Sequence, residues 1–223
     1  MPQPTVRIKV CGLTSVAQAL ACAAAGADWV GLNFHPASPR RVDPALAAEI
    51  VVALPSPTEV VGLFVDRPPD EVAAQADRIG IGIVQLHGQE PPEDLVRLGH
   101  LRLVRAFRIG SADAVAAMIA YLRKAADLGR VPDEVLVDAY VPGRDGGTGQ
   151  AIADHLFPLL PPLPRLILAG GLTPENVAER VARVRPWMVD VASGVESAPG
   201  QKDPVRVAAF VQAARSAIST VLS

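Results

Sequence analysis

"VRIKVCGLTSVAQALACAAAGADWVGLNF", residues 6–34, reads as one strand–helix–strand unit. The β-branched run "VRIKVC" (6–11) has strand character, as does "WVGLNF" (29–34). Between them, residues 15–25 carry apolar residues at helical spacing, and Ser15 and Gln18 stand at the spacing of a capping box. The turn out of the first strand is "CGLTS". It is not the G-x-G-x-x-G turn that opens a dinucleotide-binding, doubly wound sheet. What the unit belongs to therefore depends on how often it recurs.

It recurs to the end of the chain. Further strand-like runs are "VVGLFV" (60–65), "GIVQL" (82–86), "RLVRAF" (102–107), "EVLVD" (134–138), "RLILA" (165–169) and "MVDVA" (188–192). Helical patterns fall at 43–53, 69–79, 91–98, 111–128, 150–157, 174–184 and 204–220. Thr173-Pro174 and Asp203-Pro204 each put a capping side chain before a proline at the first helical position. Near-continuous apolar strands separated by helices imply parallel strands buried on both faces. Eight such units in 223 residues predict an α/β fold, a single-domain (β/α)8 TIM barrel of eight parallel strands spanning 1–223. An open doubly wound sheet is the alternative. The proline-rich "FPLLPPLP" (157–164) reads as a rigid loop between the sixth helix and seventh strand rather than a polyproline ligand.

Composition limits the partners. The chain is half hydrophobic with a net charge of −2, so it carries no basic footprint for nucleic acid. Its apolar runs are too short for a transmembrane helix, and "MPQPTVRIKV" lacks a signal core. A cytoplasmic protein is expected. Cys11 and Cys22 make neither a disulfide framework nor a CxxC pair, and His35 and His87 share no metal-ligand spacing, so no metal is expected.

In a barrel, the strand ends and the loops after them converge on one mouth, where the active site lies. That places there Cys11, Asn33 through Arg40, Val65-Asp66, Gln85 to Gly88, Phe107-Arg108, Asp138, Gly170-Gly171 and Ser193-Gly194. "LAGGLTPENV" and "VASGVESAPGQKD" put small residues after the last two strands. Glycine lets backbone N–H groups approach an anion, and this is a frequent phosphate position in barrels. The same glycines also serve tight turns. The "GRDGGTG" segment (143–149) reads as a loop that covers a ligand.

Cys11 and Asp138 end strands one and six. A thiol serves as general base when its surroundings lower its pKa, and a carboxyl as general acid when burial or a neighbouring negative charge raises it. Such a pair can move a proton off carbon and onto a nearby oxygen or carbon. The alternatives are a small buried hydrophobe for the cysteine, which is the reading of Cys22, and a turn cap for the aspartate. In "FHPASPRR" (34–41), Arg40 or Arg41 can fork onto a carboxylate, or both can be solvated. His87 reads as a structural or wall residue.

Taken together, "KVCGLT", "GADWVGLNFHPASPR", "VGLFV", "VQLHG", "LVDAYVPGRDGGTG", "LAGGLTPENV" and "VDVASGVESAPGQKD" resemble the phosphoribosylanthranilate isomerase family of tryptophan biosynthesis. The resemblance runs almost end to end. It implies an Amadori rearrangement of N-(5'-phosphoribosyl)anthranilate to 1-(2-carboxyphenylamino)-1-deoxyribulose 5-phosphate, with no cofactor. The general base would be Cys11, the general acid Asp138 and the anthranilate-carboxylate ligand Arg40, with Arg41 second to it. The phosphate would rest on Gly170, Gly171, Ser193 and Gly194. Two places depart from the family pattern: Ala192 stands where a serine is common, and "QAIADHL" (150–156) where Phe-Asp-Trp is common. The rival readings are the histidine-pathway aldimine isomerase, which carries aspartate at the first strand end, and a non-catalytic barrel that binds a phosphorylated ligand. A phosphorylated small molecule is the expected partner in each case. The sequence does not set the oligomeric state.

Overall fold

The computed structural model describes residues 6–139, 152–163 and 165–217. Eight parallel strands close into a barrel in sequence order. They are β1 (Arg7–Cys11), β2 (Trp29–Asn33), β3 (Glu59–Phe64), β4 (Ile83–Leu86), β5 (Arg102–Ile109), β6 (Glu134–Ala139), β7 (Leu166–Leu168) and β8 (Met188–Val191). Closure comes from β1 pairing with β8, where Lys9 is the register partner of Asp190. The helices are α1 (Val16–Ala24), α2 (Pro44–Ala53), α3 (Pro69–Ile79), α4 (Pro92–Arg97), α5 (Ala112–Asp127), α6 (Val177–Val184) and α7 (Pro204–Ser216).

Two apolar clusters follow from the alternation of side chains along each strand. The larger lies between strands and helices and includes Ile8, Val10, Leu32, Phe64, Val84, Leu103, Val137, Val189 and Phe210. The smaller fills the barrel with Trp29, Val61, Ile83, Val104, Ala106, Leu136, Ile167, Ala169 and Met188. Trp29 meets Trp187 edge-on at 5.6 Å, and Arg7 and Arg102 lie over both rings. The barrel is thus a packed core whose chemistry must sit at one end.

The caps explain several helix starts. Ser15 accepts from the Gln18 N–H at 3.2 Å, while the Gln18 amide reaches back to the Thr14 N–H. Asp203 accepts from the N–H groups of Val205 and Arg206, as its place before Pro204 implies. Two expectations need correction. No α-helix forms over the described part of 150–157; a 3-10 turn, Asp154–Leu159, takes its place. Pro158 sits inside it and three more prolines follow within the next six residues, which removes the donors an α-helix needs. Asp154 is instead held by Arg180 and Arg183 of α6. The helix expected at 174–184 is counted only from Val177. Pro174 lies in a turn closed by Thr173, whose carbonyl accepts from the Asn176 and Val177 N–H groups and whose own N–H donates to the Asn176 side chain. A small hairpin, β9 (Glu196–Ala198) and β10 (Gln201–Lys202), was not foreseen. Thr14 and Gln18 both donate to the Gly200 carbonyl at its tip, which ties the hairpin to the loop after β1. The segment 143–149 lies outside the described residues.

Candidate active site

The strand ends surround a cavity of about 670 Å³, lined among others by Cys11, Arg40, His87, Asp138, Gly170, Gly171, Ser193 and Gly194. Every site residue expected from the sequence therefore meets at one mouth. Arg41 is exposed and does not line the cavity, so the loop after β2 presents Arg40 alone.

Three of these side chains owe their position to a glycine. Cys11 ends β1 opposite Gly31 of β2, and a Cβ on Gly31 would lie 2.6 Å from the Cys11 sulfur. Gly12 follows with φ +80°, and a Cβ there would strike the Arg40 side chain. Gly170, with φ +85°, leaves room for Asp138; a Cβ would lie 2.6 Å from its Oδ1. A larger residue at any of the three would displace the group above it.

The Arg40 loop is shaped by Asn33, whose Oδ1 accepts from the His35 N–H and whose amide donates to Ser38 Oγ. Arg40 itself donates from Nε and Nη2 to the two oxygens of Glu196 at 2.8 and 2.7 Å. Lys202 donates to the same carboxylate at 2.7 Å and to the Ala192 carbonyl at 3.0 Å. Burial pushes the Glu196 carboxyl up, but the hydrogen bonds from Arg40 and Lys202 outweigh it and hold it below the usual range. Glu196 thus fixes the Nε–Nη2 edge of the guanidinium in a bidentate pair.

The last two loops turn backbone N–H groups toward the cavity mouth. Gly170 and Gly171 both have positive φ. Gly194 packs so closely on the Leu172 carbonyl that any side chain there would clash. The carbonyls that would repel a phosphate are turned to donors: Gly171 O accepts from Asn176 at 2.8 Å and Gly194 O from Arg206 at 3.0 Å. Among the described residues, the N–H groups of Gly171, Ser193 and Gly194 donate to no protein acceptor. Fixed N–H groups with no internal partner, beside an arginine, suit a phosphate.

Asp138 faces His87, with Nε2 at 3.7 Å from Oδ2, while Gln85 Nε2 lies 2.8 Å from His87 Nδ1. His87 is thus the wall residue expected, and also a neighbour of the candidate acid. Burial pushes the Cys11 thiol up, against the opposing charges of Lys9 and Lys202. A thiol and a carboxyl facing one cavity can serve as a proton acceptor and a proton donor on the two sides of one substrate. Among the described residues no group of histidine, cysteine and carboxylate side chains is placed to hold a metal. No helix there is long and apolar enough to cross a membrane.

Sequence reasoning missed Lys9, Glu196, Lys202, Asn176 and Arg206. The signal for Lys9 was present, as a lysine set between apolar residues, Ile8 and Val10, in a strand read as buried on both faces.

Comparison with known proteins gives a consistent result. The family model described as N-(5'-phosphoribosyl)anthranilate (PRA) isomerase matches residues 8–213. The N-(5'-phosphoribosyl)anthranilate isomerase of Geobacter sulfurreducens is 45% identical over 212 residues, covering 94% of this chain and 98% of that protein. The crystal structure of phosphoribosyl anthranilate isomerase from Thermotoga maritima superposes with a TM-score of 0.84 at 32% identity, over 95% of this chain and 99% of the other. A phosphoribosyl anthranilate isomerase solved in complex with reduced 1-(o-carboxyphenylamino)-1-deoxyribulose 5-phosphate superposes at 0.80 with 31% identity, over the same shares.

Proposed function

The chain belongs to the N-(5'-phosphoribosyl)anthranilate isomerase family, and within that activity we propose that Cys11 is the general base and Asp138 the general acid. The enzyme is an aldose–ketose isomerase, and its substrate is N-(5'-phosphoribosyl)anthranilate. The observation that carries the assignment of roles is the convergence of Cys11 and Asp138 on one cavity, between Arg40 and the Gly170–Gly171 and Ser193–Gly194 loops.

The substrate phosphate rests on the N–H groups of these two loops, and its anthranilate carboxylate on the free end of Arg40. This stretches the ribose across the cavity between Asp138 and Cys11. Asp138 gives its proton to the ring oxygen as the C1'–O bond breaks, and the nitrogen lone pair forms the C=N bond of a Schiff base. The Cys11 thiolate then takes the C2' proton, and the electrons of that C–H bond form the C1'–C2' double bond of an enolamine. Protonation at C1' and loss of the proton from the C2' hydroxyl give the aminoketose. The closed barrel acts here by fixing the distance between base and acid, which supplies much of the rate enhancement when reacting atoms are held near attack geometry. We take residues 1–223 as one catalytic domain working on a small phosphorylated molecule. A cytoplasmic location is part of the same proposal and rests on the sequence reading alone.

The test is to generate phosphoribosylanthranilate in situ and follow its anthranilate fluorescence. Rapid loss on adding the protein is expected. Asp138→Asn should slow turnover by about 10²-fold or more, the usual contribution of a positioned acid. Turnover within threefold of wild type in Asp138→Asn would remove that residue from the acid role.

A further inference from the structure

The barrel interior holds a deeply buried ion pair, beside the first strand end, that the mechanism above does not use. Lys9 Nζ donates to Asp190 Oδ2 at 2.7 Å. Lys9 is wholly buried and Asp190 is 8% exposed. Lys9 is the register partner of Trp29 on β2, and the rest of the barrel interior is filled by apolar side chains, Val61, Val104, Leu136, Ile167 and Met188 among them. A buried pair is weak evidence for stability, because apolar side chains of similar volume fill such a place at least as well. Its presence in an apolar plug calls for another reason.

That reason lies two residues along the chain. Lys9 and Cys11 share a face of β1, since strand side chains alternate. Cys11 stands at the cavity, and Lys9 lies one step deeper, where it lines no part of it. Lys9 therefore does not touch a ligand. Its charge favours the thiolate of Cys11, against burial, which pushes the thiol up. The other groups facing that sulfur are Asp190 from β8, Lys202 from β10 and Arg40 from the loop after β2. Lys202 and Arg40 are both bound to Glu196, which offsets part of their charge. Asp190 acts against the thiolate, but it also holds Lys9 in the charged state despite complete burial.

We propose that Lys9 is a positioning residue for the reaction: its ammonium, pinned by Asp190 beneath Cys11, is the fixed positive charge that keeps the sulfur available as a thiolate. The proposal rests on the reading of Cys11 as the base. Lys9 stays protonated throughout. The proton from C2' goes to sulfur, and none passes through the lysine. Without Lys9 the thiolate would face burial and the Asp190 charge together, and a smaller share of it would exist at neutral pH.

The test reads the thiol itself. In a Cys22→Ala background, which leaves Cys11 as the one cysteine in the chain, the rate of alkylation by iodoacetamide is measured against pH. Wild type, Lys9→Met, Lys9→Arg and the double variant Lys9→Met/Asp190→Asn are compared. The double variant leaves no unpaired buried charge, so it decides the matter if the single methionine variant does not fold. The alkylation midpoint should rise by about one to three pH units in Lys9→Met, the range for loss of one close opposite charge. The double variant should rise too, by less, and Lys9→Arg should stay near wild type. Turnover of Lys9→Met at neutral pH should fall about tenfold for each unit of that rise and recover on raising the pH, with KM little changed. A purely structural lysine would move neither midpoint. A folded Lys9→Met or double variant that titrates with the wild type overturns the proposal. Wild-type turnover in Cys11→Ala would overturn the base reading instead, and the two failures are therefore distinct.

Discussion

Replacing Gly31 by alanine puts a methyl group where Cys11 keeps its sulfur. The new carbon would lie 2.6 Å from Sγ, 3.1 Å from the Cys11 Cα and 3.2 Å from its Cβ. Comfortable contact between such atoms begins near about 3.5–4.0 Å, so the sulfur must retreat by about 1 Å and the strand must give by a few tenths. Gly31 does not have a left-handed backbone, and alanine is conformationally acceptable there. Overpacking of this size costs about 1–3 kcal/mol. The entropy regained by replacing a strand glycine offsets about 0.5–1 kcal/mol of it. The variant should therefore fold, with a stability loss of no more than about 2.5 kcal/mol. A reacting group displaced by about 1 Å costs on the order of 10²-fold in rate. Steady-state fluorescence assays should thus give a kcat about 100-fold below wild type with KM within a few-fold. Gly82→Ala is the control, because a Cβ there meets nothing within 4 Å. A folded Gly31→Ala enzyme with kcat within threefold of wild type would refute the argument that this glycine sets the position of the thiol.

Glu196→Gln removes the charge that fixes Arg40 and Lys202. KM should rise about tenfold or more while kcat falls less, with stability lower by about 3 kcal/mol from the stranded buried cations; an unchanged KM in the fluorescence assay would refute this. The same carboxyl is held below its ordinary value of 4.5 in the fold, so its contribution to stability is full above that value and disappears as pH falls through its lowered folded value. Urea unfolding from pH 5 to 3 should fall less steeply in Glu196→Gln than in wild type. Cys22 behaves in the opposite sense. Burial pushes its thiol up to about 11 from 9.0, against a small opposing effect of Lys202. The unfolded chain therefore loses this proton first, and stability falls as pH rises from about 9 to 11, by roughly 2–3 kcal/mol for this group. Cys22→Ala should lose that much less over the same interval by urea midpoint, and an identical pH slope would contradict the assignment.

The barrel was legible because burial on both strand faces writes itself as short β-branched runs. All eight runs coincide with observed strands to within two residues at either end. Proline explains the failure around residue 154. Helical spacing of apolar residues was read there, but hydrogen-bond donors were missing just beyond. The α6 start failed for a related reason, since Asn176 closes a turn on Thr173 that competes with a simple cap. At the site, Cys11, Asp138 and Arg40 were readable from their place after strands. Glu196 and Lys202 were not: Pro199-Gly200 in "VESAPGQKD" marks a turn, but nothing there tells that the short strands around it bring these two side chains to Arg40. Lys9 and Asp190 lie in between. Each is a charge between apolar neighbours of a buried strand, "VRIKVC" and "MVDVA", and closure of the barrel makes these two strands neighbours. Only the register, which the sequence does not contain, reveals that they meet.

The central claim is that the sulfur of Cys11 removes the C2' proton. Single-turnover kinetics of wild type and Cys11→Ala with phosphoribosylanthranilate, run beside binding of the reduced product analogue, test it most directly. The account predicts a chemical step slower by about 10²–10⁴-fold with analogue affinity within about threefold of wild type. A Cys11→Ala enzyme that converts substrate at the wild-type rate would contradict it.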